Sequence, residues 1–194
     1  MQRKIVLASK SERRKMLLRQ INLNFEIRES KYEEDMSVMD NPYELAKFLA
    51  LGKAQDVAKH YDDAIIIGAD TFVFSGRKFI GKPKDEADAR KILTEFSGKT
   101  HEIVTGLAII DTKNNMVVND YDEARVTFRK LSTEEIEDYV ATGEPMDKAG
   151  AYGLMHRGAV LIEKVEGDFY SVIGLPLNKL HMALKKLGVN TLEK

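Results

Sequence analysis

The stretch KIVLASKSERRKMLLRQI, residues 4–21, contains the transition that decides the fold. It opens with a short apolar run rich in β-branched side chains, which predicts a buried strand. The amphipathic run that follows predicts a helix, with either Ser9 or Ser11 as its N-cap. Ser9 and Glu12 have the spacing of a capping box. A strand that passes directly into a helix is typical of α/β proteins.

The rest of the chain alternates strands and helices in the same way, with hairpins mixed in. Further strands are predicted at residues 24–30, 64–79, 101–111, 116–128 and 159–167, and further helices at 41–61, 85–96, 132–143 and 175–188. We expect the segment 64–79 to be a hairpin or a strand with a sharp break at Gly68-Ala69-Asp70. The mixture favours an α/β fold with a mixed sheet over a strictly parallel one.

Composition excludes several classes of protein. The chain has 194 residues and is 43% hydrophobic, enough for one core or for two small lobes that share a sheet. Its 30 basic and 31 acidic residues argue against a dedicated nucleic-acid binder. The absence of cysteine excludes disulfides and thiolate metal sites. The polar start of the chain and the lack of a long apolar run predict a soluble, cytoplasmic, single-domain protein.

The junction SKSERR, residues 9–14, combines features that suit an anion. A helix N-terminus presents free backbone N–H groups and the positive end of the helix dipole. Small hydroxyl side chains leave room there, and Arg13 and Arg14 add bidentate donors for phosphate oxygens. The alternative is an ordinary capped surface helix with solvated arginines.

The motif GADT, residues 68–71, places a carboxylate directly after an apolar run. A buried carboxylate is costly unless it is paired or used. Asp70 is therefore a candidate general base, a metal ligand, or both. The alternative is a turn aspartate that accepts hydrogen bonds from backbone N–H groups.

Acidic and basic side chains elsewhere suggest related chemistry. The cluster Glu33-Glu34-Asp35 has the oxygen ligands that magnesium prefers, although a solvated acidic loop has the same composition. Lys53 falls on or beside the buried face of its helix, where it either snorkels or points into a polar pocket. Lys82 lies in a Gly-Lys-Pro turn. His101 is expected to be structural.

The glycine-rich segment 143–153, GEPMDKAGAYG, has no simple periodicity. It contains the polar triplet Glu144, Asp147 and Lys148, and loops of this length usually serve a site. Together with the charged groups in the other polar breaks, it fits metal-assisted hydrolysis of a polyphosphate.

Six motifs in order resemble the Maf family, the septum-formation-inhibitor-like proteins described as nucleoside triphosphate pyrophosphatases. The resemblance covers about residues 4–188. The motifs are LASKSERRKMLL (7–18), IIGADTFV (66–73), GKPKDEADARKIL (81–93), SGKTHEIVTGL (97–107), VTFRKLSTEEIEDYVATGEPMDKAGAYG (126–153) and GAVLIEKVEGDFYSVIGLPL (158–177).

The resemblance implies an α/β fold of the inosine-triphosphate-pyrophosphatase type: an elongated mixed sheet, flanking helices, and a cleft between two lobes. It implies cleavage of dTTP or UTP to the monophosphate and pyrophosphate with a divalent cation, Mg²⁺ or Mn²⁺. It further implies a homodimer with no stable nucleic-acid partner and no membrane association. The implied roles are cleansing of the nucleotide pool and arrest of cell division. The alternative is a septum-formation inhibitor that acts by binding a protein or DNA.

The resemblance also assigns roles to residues. It implies that Asp70 is the proton acceptor and, with Glu33, a metal ligand; Glu34 is the nearest rival of Glu33. Lys53 and Lys82 are the implied catalytic lysines. The expected substrate-binding residues are Ser9, Arg13, Arg14, Thr71, Asp147, Lys148 and Met155.

Two replacements distinguish this chain from the uracil/thymine-type members. Met155 stands where those members have glutamine, and His156 stands where they have glycine. Lys148 separates the chain from the 7-methyl-GTP type, which has cysteine at that position. The resemblance assigns base choice to Arg13, Thr71 and Met155, so the altered position is expected to change base preference.

Overall fold

The computed structural model describes residues 3–193. The strands in this range are β1 (Ile5–Leu7), β2 (Glu26–Ile27), β3 (Ile65–Ser75), β4 (Lys78–Ile80), β5 (Thr100–Asp111), β6 (Met116–Phe128) and β7 (Ile162–Gly167). The α-helices are α1 (Glu12–Gln20), α2 (Pro42–Ala58), α3 (Glu86–Phe96), α4 (Thr133–Ala141), α5 (Phe169–Ile173) and α6 (Leu177–Lys186). Short 3-10 segments lie at Glu144–Asp147, Ala149–Ala151 and Arg157–Leu161.

The strands form one mixed sheet in the order β2-β1-β3-β5-β6-β7, with β4 paired to β3. Strand β1 is parallel to both β2 and β3. Strand β4 is antiparallel to β3, and β7 is antiparallel to β6. The predicted α/β class with a mixed sheet is therefore confirmed.

The predicted break at Gly68-Ala69-Asp70 is wrong, because β3 runs without interruption from Ile65 to Ser75. The hairpin turn lies further on, at Gly76 and Arg77, which both have positive φ. A glycine can stand inside a strand where another backbone approaches closely. A Cβ atom at Gly68 would lie 2.5 Å from the carbonyl oxygen of Ala50 in α2. Gly68 is thus needed for helix packing.

The chain divides into two compact units. The first unit has three segments: the chain up to Asp70, the segment Thr105–Asp122, and the chain from Gly174 onward. The second unit has two segments, Thr71–Val104 and Glu123–Ile173. In the first unit, α2 buries alanines and Val57 against apolar residues of β1, β3 and β5. In the second unit, α3 and α4 pack on an aromatic cluster that includes Phe96 and Phe128.

Several helix ends follow the sequence signals. The side chain of Asn41 accepts hydrogen bonds from Tyr43 N and Glu44 N at the start of α2. The Asp85 side chain caps α3. Ser132 and Glu135 form the predicted capping box of α4, with bonds of 3.2 and 2.8 Å.

Helix α1 begins differently from the capping-box prediction. Ser11 is its N-cap, and no side-chain oxygen caps its first turn. The Ser9 hydroxyl instead accepts hydrogen bonds from Ser11 N at 3.2 Å and from Arg14 Nη1 at 3.3 Å. The Ser9 hydroxyl thus binds the N-cap residue and Arg14, and it does not cap the first turn.

Other boundaries differ because local hydrogen bonds override the apolar pattern. The strand predicted at 159–167 begins at Ile162, after a 3-10 segment. Strand β2 is only two residues long and exposed. Helix α5 is absent from the prediction; Asp168 starts it by accepting from Tyr170 N and Ser171 N. Within residues 3–193, no helix has the length and apolarity to cross a bilayer.

Candidate active site

A buried ion pair joins α2 to β3 in the first unit. Lys53 Nζ lies 2.5 Å from Asp70 Oδ1, and both side chains are about nine-tenths buried, with 11% and 8% exposed. Gly68, two residues before Asp70, allows α2 to approach β3 closely, with Ala50 and Ala54 against the glycine. Lys53 lies on the same stretch of α2. A buried charge requires such a partner. Of the two alternatives for Lys53, the ion pair agrees with a polar environment and not with a snorkelling side chain.

Glu34 supplies a second carboxylate to the same ammonium group. Its Oε1 lies 2.6 Å from Lys53 Nζ, and its side chain is 49% exposed. Two residues earlier, the ring of Tyr32 lies directly on Gly52 of α2. Glu33 is exposed, and the ammonium group contacts Glu34.

Asp56 on α2 fixes the segment that presents Glu34. Its Oδ2 accepts a hydrogen bond from Lys31 N at 2.8 Å and another from the Ser30 hydroxyl at 3.1 Å. The bond from Lys31 N is the main reason why the pKa of Asp56 lies below its ordinary value. A short loop is thus tied to the helix that carries Lys53.

The two arginines of α1 have different environments. Arg14 Nε donates to Gly174 O at 2.8 Å, and its Nη1 donates to Ser9. Burial lowers the pKa of Arg14, whereas the nearby carboxylates Asp70 and Glu34 raise it. Arg14 therefore lies within electrostatic reach of the carboxylate pair while being held by backbone.

Arg13 is partly buried, and its positive charge also acts on Arg14. Among residues 3–193, no hydrogen bond or ion pair engages the Arg13 guanidinium. Of the two predicted phosphate donors, Arg13 is accordingly the one with its donor fork available to an incoming anion.

The donor set fits a hard divalent cation. Asp70 and Glu34 each direct one oxygen at the same ammonium nitrogen, so two carboxylates meet at one point of the site. Magnesium is usually held by one or two carboxylates, with the other ligands from waters and substrate phosphates. The described part of the chain has no group of three or more His, Asp or Glu residues arranged to hold a metal.

In the second unit, Lys82 lies in a turn whose backbone is fixed. Gly81 O accepts a hydrogen bond from Gly150 N at 2.9 Å. Gly150 has a φ of 73°, and a Cβ atom there would lie 2.7 Å from Val73 Cγ2. The Lys82 side chain itself is exposed. The glycine-rich segment thus anchors the Gly-Lys-Pro turn, as a loop that serves a site would.

Lys148 is buried, with 8% exposed. Its Nζ lies 2.6 Å from Asp147 Oδ1 and donates to Glu144 O at 2.8 Å. Its aliphatic stem lies against Gly153, where a Cβ atom would come within 2.9 Å of Lys148 Cδ. Asp147 and Lys148 are thus brought together, with the carboxylate exposed and the lysine enclosed.

Two further predicted residues, Thr71 and Met155, lie in β3 and just after the glycine-rich segment. Thr71 follows Asp70 in β3 and is partly buried, Met155 is partly buried, and His156 is exposed. Sequence reasoning named Glu144 only as part of a polar triplet and missed its partner Tyr139, whose hydroxyl donates to Glu144 Oε1 at 3.0 Å. The capping box at Ser132 and Glu135 predicted the helix that carries Tyr139, and this helix was the sequence signal that could have pointed to Tyr139.

His101 has the environment of a structural residue. Its ring stacks on Phe96 with centroids 4.0 Å apart, and its Nε2 is 2.7 Å from the Tyr152 hydroxyl. Burial lowers the pKa of His101 to about 4. It is therefore neutral at pH 7.

The α/β fold of this chain also occurs in a solved structure. A HAM1 protein from Coxiella burnetii has a similar structure, with a TM-score of 0.52 over 95% of this chain and 100% of that one. The two sequences are 12% identical, so the likeness shows the fold alone. It confirms the fold expected from the motifs.

Sequence comparison then gives the family: the chain belongs to the Maf-like proteins, whose family model matches residues 4–187. A dTTP/UTP pyrophosphatase from Alkaliphilus metalliredigens is 48% identical over 94% of this chain and 95% of its own length. Its namesake from Dictyoglomus turgidum is 46% identical over 99% and 100%. The protein of that name from Bacillus cereus is 44% identical over 97% of each chain.

Proposed function

We propose that this chain is a nucleoside triphosphate pyrophosphatase that hydrolyses dTTP and UTP to the monophosphate and pyrophosphate. Membership of the Maf-like family and the names of its relatives support the reaction. The observation that carries the proposal is the buried Lys53–Asp70 pair with Glu34 on the same ammonium group. A buried group of charges is costly for stability, and such groups cluster at functional sites.

Asp70 is the proposed general base. Lys53 holds its Oδ1, which orients the carboxylate so that Oδ2 can take a proton from water. The oxygen of that water forms a bond to the α-phosphorus, and the bond from this phosphorus to the α–β bridging oxygen breaks. The electron pair leaves with pyrophosphate, so one water and one triphosphate give two products and one proton.

A divalent cation, Mg²⁺ or Mn²⁺, would be held by Asp70 and Glu34 and would neutralise charge on the phosphate oxygens. We assign the metal-facing carboxylate to Glu34 in preference to Glu33, because Glu34 contacts Lys53. The ammonium group of Lys53 contacts both of these carboxylates, Asp70 and Glu34.

Arg13 and Lys82 are the proposed phosphate contacts. Arg13 stands in the first turn of α1, where the helix dipole also favours an anion. Lys82 projects from a turn that Gly150 fixes. Ser9 and Arg14 lie beside Arg13 and are the further proposed phosphate-binding residues. The Ser9 hydroxyl accepts a hydrogen bond from Arg14.

Base choice is assigned to Arg13, Thr71 and Met155, with Asp147 and Lys148 as further substrate contacts. A thioether packs on a flat ring but cannot donate a hydrogen bond. Apolar contacts discriminate between similar ligands by only about 1–3 kcal/mol. We therefore expect dTTP and UTP to be preferred over CTP, but less strongly than where glutamine stands.

The test is to incubate the protein with Mg²⁺ and each of dTTP, UTP, CTP and GTP and to identify the products. Monophosphate and pyrophosphate in equal amounts, fastest from dTTP or UTP, are expected. Diphosphate and inorganic phosphate as products would reject the proposed bond cleavage. No product from any nucleotide would favour the alternative, a protein that acts by binding a partner. The homodimer and the cytoplasmic location stay predictions.

A further inference from the structure

The segment 143–158 takes its shape from side-chain contacts, because it contains only short 3-10 segments. It begins where α4 ends. Gly143 has a φ of 72°, and the hydroxyl of Thr142 accepts a hydrogen bond from Glu144 N at 3.1 Å. The end of α4 therefore fixes where Glu144 starts the segment.

The Glu144 carboxylate closes this segment on itself. Its Oε1 accepts from Gly158 N at 3.0 Å and from the Tyr139 hydroxyl at 3.0 Å, and its Oε2 accepts from Arg157 N at 3.1 Å. Hydrogen bonds to an ionised acceptor are stronger than neutral ones. One side chain thus joins α4 to backbone 13 and 14 residues further along the chain.

Tyr139 extends the same anchor to a second point. Its hydroxyl donates to Glu144 and accepts a hydrogen bond from the backbone N–H of Gly153. Burial, and then the charge of Glu144, raise the pKa of Tyr139 far above its ordinary value. The phenol therefore keeps its proton and remains a donor at any physiological pH.

The two anchored points are packed directly together. A Cβ atom at Gly158 would lie 2.5 Å from Gly153 O and 2.6 Å from Tyr139 Oη, so no larger residue fits there without movement. Between the anchors lie residues 154–156, which include Met155. The backbone of this short turn is consequently held at both ends.

Glu144 also fixes Lys148 through its main chain. The carbonyl oxygen of Glu144 accepts from Lys148 Nζ at 2.8 Å, and the lysine stem lies against Gly153. A displaced Glu144 would move both the buried lysine and the turn 154–156.

We propose that Glu144 is a positioning residue for base choice: its carboxylate holds the turn 154–156 and so sets where Met155 and His156 meet the nucleotide base. This inference rests on the proposed function. A displacement of about 1 Å costs up to ~10²-fold in rate when it affects a contact to the substrate. If Glu144 only stabilised the fold, its loss would lower the rate on every nucleotide by the same factor.

The experiment compares wild type, Glu144→Ala and Glu144→Gln by kcat and KM for dTTP, UTP, CTP and GTP. Glu137→Gln is the matched control, because Glu137 is a carboxylate of α4 paired on the surface with Arg90 at 2.7 Å. We expect Glu144→Ala to reduce the dTTP-to-CTP ratio of kcat/KM by roughly 10-fold, mainly through KM for dTTP. Glu144→Gln keeps one acceptor oxygen and should lie between wild type and alanine.

An equal loss on all four nucleotides, or a wild type without base preference, would overturn the proposal. If Glu144→Ala does not fold, the test uses Glu144→Gln. A dTTP-to-CTP ratio of kcat/KM in Glu144→Gln equal to that of wild type would then overturn the proposal. If wild type hydrolyses no nucleotide, the proposed function fails. The proposal for Glu144 is then judged by calorimetric binding of dTTP and CTP, and it is overturned if the affinity ratio is the same in wild type and variants.

Discussion

Replacing Lys53 by methionine tests the buried ion pair most severely. The change keeps the length of the side chain and removes the ammonium group, which leaves the Asp70 carboxylate with 8% of its side chain exposed and no partner at 2.5 Å. Removal of one partner of a buried pair costs about 3–5 kcal/mol. Glu34 is 49% exposed, so the loss of its contact adds at most about 1 kcal/mol. The expected fall in melting temperature is about 6–20 °C for a chain of this length.

Urea unfolding followed by circular dichroism measures the loss of free energy in Lys53→Met. The control is Lys47→Met, because Lys47 lies on the same helix in a surface pair with Glu44 at 2.7 Å. That variant should lose about 0.5 kcal/mol or less. Adding Asp70→Asn to Lys53→Met removes the unpaired charge and should restore about 1–3 kcal/mol. The reasoning is refuted if Lys53→Met unfolds at the same urea concentration as wild type.

Three further predictions address packing, pH and base choice. Gly106→Ala should lose about 3 kcal/mol or more by urea unfolding, because its Cβ would lie 1.9 Å from Ala46 O, whereas Gly81→Ala meets nothing within 4 Å and should be near neutral. The pKa of His101, about 4 when folded and 6.5 ordinarily, means that the unfolded chain binds the proton first. Stability is therefore full above pH 6.5 and falls by about 3 kcal/mol between pH 6.5 and 4, and His101→Gln should lack this part of the pH dependence. Met155→Gln should raise the preference for dTTP and UTP over CTP by at least ~10-fold in kcat/KM, and an unchanged ratio would exclude Met155 from base reading.

The first strand and helix could be predicted because local signals agree there. An apolar β-branched run ends in serines, and an amphipathic run follows, so propensity and pattern give the same result. The same holds for α4, where Ser132 and Glu135 satisfy each other across the first turn. Local rules suffice at such positions because the partners are three residues apart.

The course of β3 could not be predicted by local rules. Gly68-Ala69-Asp70 has the composition of a turn, but the glycine serves the approach of a helix that lies earlier in the sequence. A close contact between distant segments leaves no local trace. The motif therefore made Asp70 a candidate site residue, but it placed this residue at a break that β3 does not have.

The choice between Glu33 and Glu34 shows the same limit. Both are acids in one exposed segment, and only the fold shows that Glu34 contacts Lys53 of α2. The role of Glu144 also depends on distant partners, since its carboxylate bonds backbone groups at Arg157 and Gly158. Composition indicated a functional segment there but not the residue that shapes it.

The most direct test of the central claim is the rate of pyrophosphate release from dTTP by Asp70→Asn with saturating Mg²⁺. Asparagine keeps the shape and can still accept from Lys53, but it cannot take a proton from water. We expect kcat to fall by at least ~10²-fold with the fold intact by circular dichroism, while Asp138→Asn, an exposed change on α4, keeps the wild-type rate. A rate for Asp70→Asn close to that of wild type would contradict the assignment of Asp70 as the general base.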